Sequence, residues 1–353
     1  MKRKVEVPKL SDPFRKLWSR NFHTNLRERE FEKERVTSII QVVRKTKEEK
    51  HPVILVNPGP SLEKNIKELK KIYDKRNSII ICSDVCLFRL VDAEIIPDVV
   101  VTIDPSNSIA RFIEGYEEVT KDIVFSAPTT VATESLKLWK GRICFFNQRD
   151  NTKIKDEFFR KLTKKVQSFG GLVNLNFVGG TMIQMAVLLN ASEIFLVGWD
   201  FCANEKGEFY CQGFLDKRVY TTLKNDNSLK EELEKRSEEF QDEEGKKIKN
   251  LLLEDFEKGL KEYKNMLLKR EVAKYSQIEM ENKETKKKLK TNNSFLLYKK
   301  VLLDVIIKDV KVPFYNCTEG GILTEIPQLA LKNATDYFSN STGVKQFLLK
   351  AFS

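Results

Sequence analysis

The sequence predicts an α/β protein built on a Rossmann-like, doubly wound sheet, with a long helical insertion and a helical N-terminal arm. Three observations carry this. From Pro52 onward, short continuous apolar runs alternate with amphipathic stretches, the pattern that strands covered on both faces of a parallel sheet require. Each run ends in a loop of glycine, proline or short polar residues. Residues 222–310 then abandon the alternation for a charge-rich stretch with helical spacing.

Taken in order, residues 1–50 read as a charged helical arm, with Phe14, Leu17, Trp18, Phe22 and Leu26 close to helical spacing. The core spans 51–221. Its strands are Val53–Val56, Ser78–Cys82, Asp98–Ile103, Asp122–Ser126, Arg142–Phe146 and Glu193–Val197, with helices over Ser61–Tyr73, to Leu90, and over Gly179–Asn190. Residues 222–310 hold 21 basic and 19 acidic side chains, so the insertion is charge-balanced. Leu229, Leu233, Phe240, Ile248, Leu252, Phe256, Leu260, Tyr263 and Leu267 form one stripe on a long amphipathic helix, folding back as a hairpin that includes Phe295–Ile307. That stripe suits packing, a homo-oligomer contact or a cap over a site. Residues 311–353 complete the core with a last strand, Val312–Tyr315, and a C-terminal helix around Ile326–Lys332.

Composition narrows the function classes. Of 353 residues, 41% are apolar and 32% charged, which excludes wholesale disorder and a membrane-embedded chain. No apolar run is long enough to span a bilayer, and Met1–Lys9 offers no apolar segment of a secretory signal. The net charge is +11, and residues 1–50 hold 15 basic against 8 acidic residues. That bias suits either an anionic partner or a basic, partly ordered arm. No aromatic-interleaved basic strand or reading helix points to nucleic acid. The six cysteines form no CxxC pair, so buried free thiols in a reducing, cytoplasmic setting are expected.

Ligands of such sheets sit beyond the carboxyl ends of the strands, and the chemistry-bearing residues fall there. After the first strand comes Asn57-Pro58-Gly59-Pro60-Ser61-Leu62, a glycine turn opening a helix. A phosphate can lie on such an N-terminus; equally, Ser61 can simply cap the helix. Asp84, Asp104 and Asp200 each end a strand and would converge on one crevice, to bind ribose, hold magnesium or act as a base. Each is also an ordinary turn former. Gly170-Gly171, Gly179-Gly180-Thr181 and Glu319-Gly320-Gly321 suit close backbone approach to a ligand or plain turns. Asn316, Thr318 and Glu319 follow the last strand. His23 and His51 are the only histidines, and both precede these loops, which argues against a Ser-His-Asp triad or a histidine metal centre. Arg89 and Arg149 are the cations near the sheet edge, and the sequence does not choose between them.

In this order the pieces resemble the motility-associated-factor (Maf) glycosyltransferases and the MptE-like 6-hydroxymethylpterin diphosphokinases, one superfamily. The resemblance rests on Val53–Leu62, on Ile96–Pro105 (a "PD-apolar run-DP" signature), on Gly179-Gly180-Thr181 with Ile194–Asp200, and on Tyr315–Gly321. It covers roughly residues 50–220 and 312–334. It implies that Asn57, Gly59, Pro60 and Ser61 meet nucleotide phosphate or sugar, as would Asp84, Gly180 and Thr181. It further places Asn316, Thr318 and Glu319 in the nucleotide pocket and Asp104 and Asp200 at the reacting centre. The chain departs from the pattern at Asn57-Pro58 and Trp199, and in its long insertion.

Three functions are therefore expected in order. The first is transfer of a sialic-acid-like (nonulosonic) sugar from a CMP donor to a hydroxyl of a glycan or of a protein such as flagellin, with no fixed metal. The second is a diphosphokinase using ATP and Mg2+, with Asp104 and Asp200 as metal ligands. The third is a nucleotide-binding scaffold without turnover.

Overall fold

The computed structural model describes residues 12–46, 48–150, 157–217, 240–275, 278–339 and 341–353. Nine strands form one sheet: β1 (Val36–Ser38), β2 (His51–Val56), β3 (Ile79–Ser83), β4 (Val99–Val101), β5 (Val124–Pro128), β6 (Ile143–Arg149), β7 (Gly171–Val173), β8 (Ala191–Val197), and, after the insertion, a last strand Phe314–Asn316. Their order is β1-β6-β5-β4-β3-β2-β8-last, with β7 beside β6. Every pairing is parallel. The fold is the expected Rossmann-like α/β class.

The continuous apolar runs follow from burial on both faces. Val53 and Leu55 of β2 point into one layer with Ile79, Ile81, Val99, Val101, Ile194 and Leu196, under the helix Val178–Leu188. Ile54 and Val56 point into the other with Ile80, Cys82, Val100, Phe125, Phe195 and Val197, under the helix Leu62–Lys75. Successive side chains alternate between faces, so no position in β2 could be polar and exposed. All six cysteines are buried and free.

The chain leaves β2 toward β3 on one side, and β8 flanks β2 on the other. The strand order therefore reverses between β2 and β8 while the strands stay parallel, the place where such sheets open a crevice at the carboxyl edge.

Several sequence expectations need correction. Residues 12–46, expected as part of a charged helical arm, are built into the body of the protein. Their helix Asp12–Arg27 buries Trp18 and Phe22, and Asn21 and Asn25 donate side-chain hydrogen bonds to the carbonyls of Pro105 (2.7 Å) and Val131 (3.0 Å). The segment then supplies β1, followed by a helix whose start is fixed by reciprocal Ser38 and Gln41 hydrogen bonds. Residues 1–11 lie outside the described residues.

The insertion is not one long helix. Asp255 adopts an extended conformation and divides the helices Glu243–Glu254 and Phe256–Tyr275. Their stripe closes on itself as a private core of Phe240, Ile248, Leu252, Leu260, Tyr263, Met266 and Leu267. A two-stranded hairpin, β9 (Ile278–Glu281) with β10 (Lys288–Thr291), follows; the last strand of the main sheet is thus β11. Phe295–Ile307 belongs to the main body, not to the helical hairpin, because Leu302 and Ile306 join the sheet core. Leu229 and Leu233 lie outside the described residues.

The expected helix at Ile326–Lys332 is mostly extended. Asn316 N–H donates to Pro327 O and Leu329 N–H to Asn316 O, so this segment runs beside β11. The terminal helix is Val344–Phe352. No helix among the described residues is long and apolar enough to cross a membrane.

Candidate active site at the carboxyl edge

The loops leaving β2 and β8 extend the pairing of their strands. Asn57 N–H donates to Val197 O (2.9 Å) and Gly59 N–H to Gly198 O (3.0 Å). The approach needs glycine on both sides. A Cβ on Gly59 would lie 2.0 Å from Asp200 Oδ2 and 2.4 Å from Gly198 O, and Gly198 has φ +73°.

This contact places Asp200 at the start of the helix Leu62–Lys75. Ser61 Oγ donates to Asp200 Oδ2 at 2.7 Å and Ser61 N–H at 3.3 Å. Two expectations fall. Ser61 makes no side-chain cap bond to its helix, because its hydroxyl goes to Asp200. Nor is the Gly59–Leu62 turn an open phosphate cradle: Gly59, Ser61 and Leu62 already spend their amides on Gly198, Asp200 and Gly59 carbonyl or carboxylate oxygens. Burial pushes the Asp200 carboxyl up to about 6, held back by the Ser61 bonds and by Lys64.

Asp84 and Asp104 follow β3 and β4, and Thr102 links them. The Thr102 hydroxyl donates to Asp84 Oδ2 (2.7 Å) and accepts from Asp104 N–H (3.3 Å). Asp84 is 6% exposed. Burial pushes its carboxyl up to about 7, with the neighbouring Asp104 adding to the effect and the Thr102 and Val85 bonds opposing it. Asp104 keeps an exposed edge at the mouth. Desolvation raises it too, against the Ser106 amide and Arg111.

The Asp84 displacement has a sign that can be measured. The folded state binds this proton more tightly than the unfolded chain, whose carboxyl titrates near 3.8. Stability is therefore lost as pH rises from about 4 through 7. Asp84→Asn is expected to gain stability relative to wild type across that window, by an amount on the order of 4 kcal/mol at pH 8. Melting midpoints of both proteins from pH 4 to 8 check this; a difference that does not grow with pH contradicts it.

Asp84, Asp104 and Asp200 meet in one cavity of about 650 Å³, together with Asn57 and Gly59. Aromatic rings wall it: Trp18 from the N-terminal helix, Phe112, Phe177, Trp199, and Phe295 and Tyr298 from the helix Asn293–Val301. Phe177 and Tyr298 stack at 5.2 Å. Asn174 and Asn176 complete the polar lining, and no lysine or arginine is among the lining residues described. The indole N–H of Trp18 and the Asn57 Oδ1 are buried with no hydrogen-bond partner among the described residues.

These walls leave little trace in the sequence: Trp18 shows there only as a helical apolar position, and Phe295 and Tyr298 only as part of the insertion. The one local signal was Asn174-Leu175-Asn176, whose Asn176 has φ +61° and donates its N–H to Asn174 Oδ1.

Other expected site residues lie elsewhere. Gly180 and Thr181 are buried inside the Val178–Leu188 helix and line neither described cavity. The glycines there serve packing: a Cβ on Gly179 would meet the Trp199 ring at 2.6 Å, and one on Gly180 would meet Leu175 at 3.0 Å. Asn316 and Thr318 are fully enclosed and hold backbone. Asn316 Nδ2 donates to Leu323 O (2.6 Å), and Thr318 Oγ1 accepts from Trp199 N–H (3.1 Å). Pro60, Ser61 and Glu319 line a second cavity of about 860 Å³. The Glu319 carboxylate there accepts from Asn65 and from Leu331 N–H. Of the two cations, Arg89 is held by Glu63 (2.5 and 2.9 Å), and Arg149 packs its stem under Gly171. Neither faces the first cavity.

No group of three His, Cys, Asp or Glu side chains among the described residues is placed to hold a metal ion. Asp84 and Asp104 alone still fit a magnesium ion in chemical type. They are hard oxygen donors, close enough for one charge to raise the other, and Mg2+ commonly takes one or two protein carboxylates with phosphate and water. Asp200, expected as its second ligand, is instead committed to Ser61.

With this geometry in place, comparison with known proteins gives two findings. A family model described as 6-hydroxymethylpterin diphosphokinase MptE-like matches residues 24–206. The fold is similar to that of the Maf glycosyltransferase from Magnetospirillum magneticum AMB-1, with a TM-score of 0.53 and 12% identity over 96% of this chain. The chain spans 42% of that protein's length, and at this identity the likeness speaks for fold alone. No curated protein matches the sequence.

Proposed function

The chain belongs to the 6-hydroxymethylpterin diphosphokinase MptE-like family, and on that premise we propose that it is a transferase moving a nonulosonic sugar from a CMP donor to an acceptor hydroxyl. One observation carries the choice. The cavity at the carboxyl edge is walled by aromatic rings and carboxylates and lined by no lysine or arginine among the described residues. Carboxylates and ring faces suit hydroxyl-rich, stackable ligands. A lining without cations suits a donor with a single phosphodiester better than a triphosphate.

In this reading Asp84 and Asp104 accept hydrogen bonds from donor hydroxyls, and the unpartnered Trp18 N–H and Asn57 Oδ1 offer a donor and an acceptor to the base or sugar. Transfer then needs a base for the acceptor and stabilisation of the leaving phosphate. The structural likeness to a glycosyltransferase supports the fold on which this chemistry is proposed.

The second reading is diphosphoryl transfer from ATP to a pterin alcohol. The Asp84–Asp104 pair favours it. Those two residues would hold Mg2+, which would supply charge neutralisation of the phosphates, and the aromatic walls would take the pterin ring.

Product analysis separates the two. Purified protein is incubated with CMP-N-acetylneuraminate, or with ATP, Mg2+ and 6-hydroxymethyl-dihydropterin, and nucleotides are resolved by chromatography. CMP release without added metal is the expected result. AMP release that requires both Mg2+ and pterin favours the second reading, and no release from either favours a scaffold.

A further inference from the structure

The second cavity shares only Asp200, Phe209 and Tyr210 with the first. Asp200 is therefore part of the wall between two compartments. Its Oδ2 is taken by Ser61, while Oδ1 faces Gly320: a methyl placed there would lie 3.4 Å from Oδ1 and 3.7 Å from Lys64 Nζ. Gly320 is outside the left-handed region that demands glycine. Its missing side chain instead keeps Asp200 and Lys64 open to the second cavity.

We propose that the second cavity is the acceptor site and that it takes a carbohydrate, one hydroxyl of which sits between Lys64 Nζ and Asp200 Oδ1. This rests on the transferase reading above. A sugar hydroxyl matches the pair, since it donates to a carboxylate and accepts from an ammonium. Lys64 spends one N–H on the Glu319 carbonyl (3.2 Å) and keeps others. Gln212 and Thr285 add amide and hydroxyl groups to a lining that also holds the rings of Phe209, Tyr210 and Phe214, and hydrogen-bonding groups beside ring faces suit the polar edges and apolar C–H faces of a sugar. The geometry makes Asp200 the base. The acceptor O–H gives its proton to Asp200, and its oxygen bonds to the anomeric carbon of the donor in the first cavity. The bond from that carbon to the phosphate oxygen breaks, and its electron pair leaves with CMP.

Saturation-transfer NMR with a mixture of methyl glycosides tests this, on wild type, Gly320→Val and Lys64→Met. Thermal midpoints with and without CMP are recorded on the same three proteins. Glycoside signals are expected in wild type and lost in both variants, with the CMP-induced shift unchanged. Glycoside signals that survive in the variants, or that are absent from wild type while a serine-containing peptide gives them, overturn the acceptor assignment. If glycoside binding behaves as expected but CMP shifts none of the proteins, the acceptor site stands and the CMP-donor reading fails. Lys64→Met keeps the test open should Gly320→Val not fold, because Lys64 is exposed.

Discussion

Replacing Asp200 by asparagine is expected to lower turnover by about 10²–10⁴-fold, the span a positioned general base contributes, while leaving the fold intact. The amide oxygen can still accept the Ser61 hydrogen bonds seen at 2.7 and 3.3 Å, so the Gly59–Ser61 turn keeps its anchor. What disappears is the proton acceptor facing the second cavity. Steady-state kinetics with a melting midpoint on the same sample check both halves. An Asp200→Asn protein of wild-type midpoint and full turnover removes Asp200 from the chemistry and moves the base to Asp104.

Gly59→Ala is expected to have a large structural effect at this edge. Its Cβ would fall 2.0 Å from Asp200 Oδ2 and 2.4 Å from the Gly198 carbonyl. The second is backbone, so the β2 and β8 loops must separate. Overpacking of this kind costs about 1–3 kcal/mol. It also displaces Asp200, so activity should be lost together with stability. Gly320→Ala is the control, because its nearest atoms lie at 3.4 Å, an ordinary contact, and its midpoint should stay near wild type. Equal midpoints for wild type, Gly59→Ala and Gly320→Ala would show that the two loops do not meet as described.

The core of the fold was legible because its chemistry is redundant. Every residue of β2 is buried, so the run Val53–Val56 had to be apolar, and the same burial holds for β3 and for Ile194–Val197 of β8. Two short strands were not. β1 (Val-Thr-Ser) and β7 (Gly-Leu-Val) hold no three consecutive apolar residues, whereas the equally short β4 is Val-Val-Val. The helical stripe in the insertion was real, but sequence spacing carries no sign of a chain reversal at Asp255. The C-terminal error has a similar source. Ile326, Leu329 and Ala330 have helical spacing, yet tertiary pairing to Asn316 holds that segment extended.

The site was half legible. Asp84, Asp104 and Asp200 were read from their strand ends and do share one cavity, since a parallel sheet delivers all its carboxyl ends to one edge. What those acids touch was not readable. Ser61 had the residue type and position of a cap, and only the proximity of β8, some 139 residues later, shows that its hydroxyl is spent on Asp200. The glycine pair Gly179-Gly180 suggested a ligand, whereas the missing side chains make room for Trp199 and Leu175. The aromatic walls come from both ends of the chain, and such convergence leaves no local trace.

The central claim is that the first cavity holds a CMP-linked donor without a metal. The most direct test is the melting midpoint of the wild-type protein with CMP, CDP and ATP, each with Mg2+ and with a chelator. A ligand at about 100 times its dissociation constant adds roughly 2.7 kcal/mol, a shift well within reach of the measurement. CMP is expected to raise the midpoint equally in Mg2+ and in chelator. A rise confined to ATP with Mg2+ would contradict it and make the Asp84–Asp104 pair a metal site for diphosphoryl transfer.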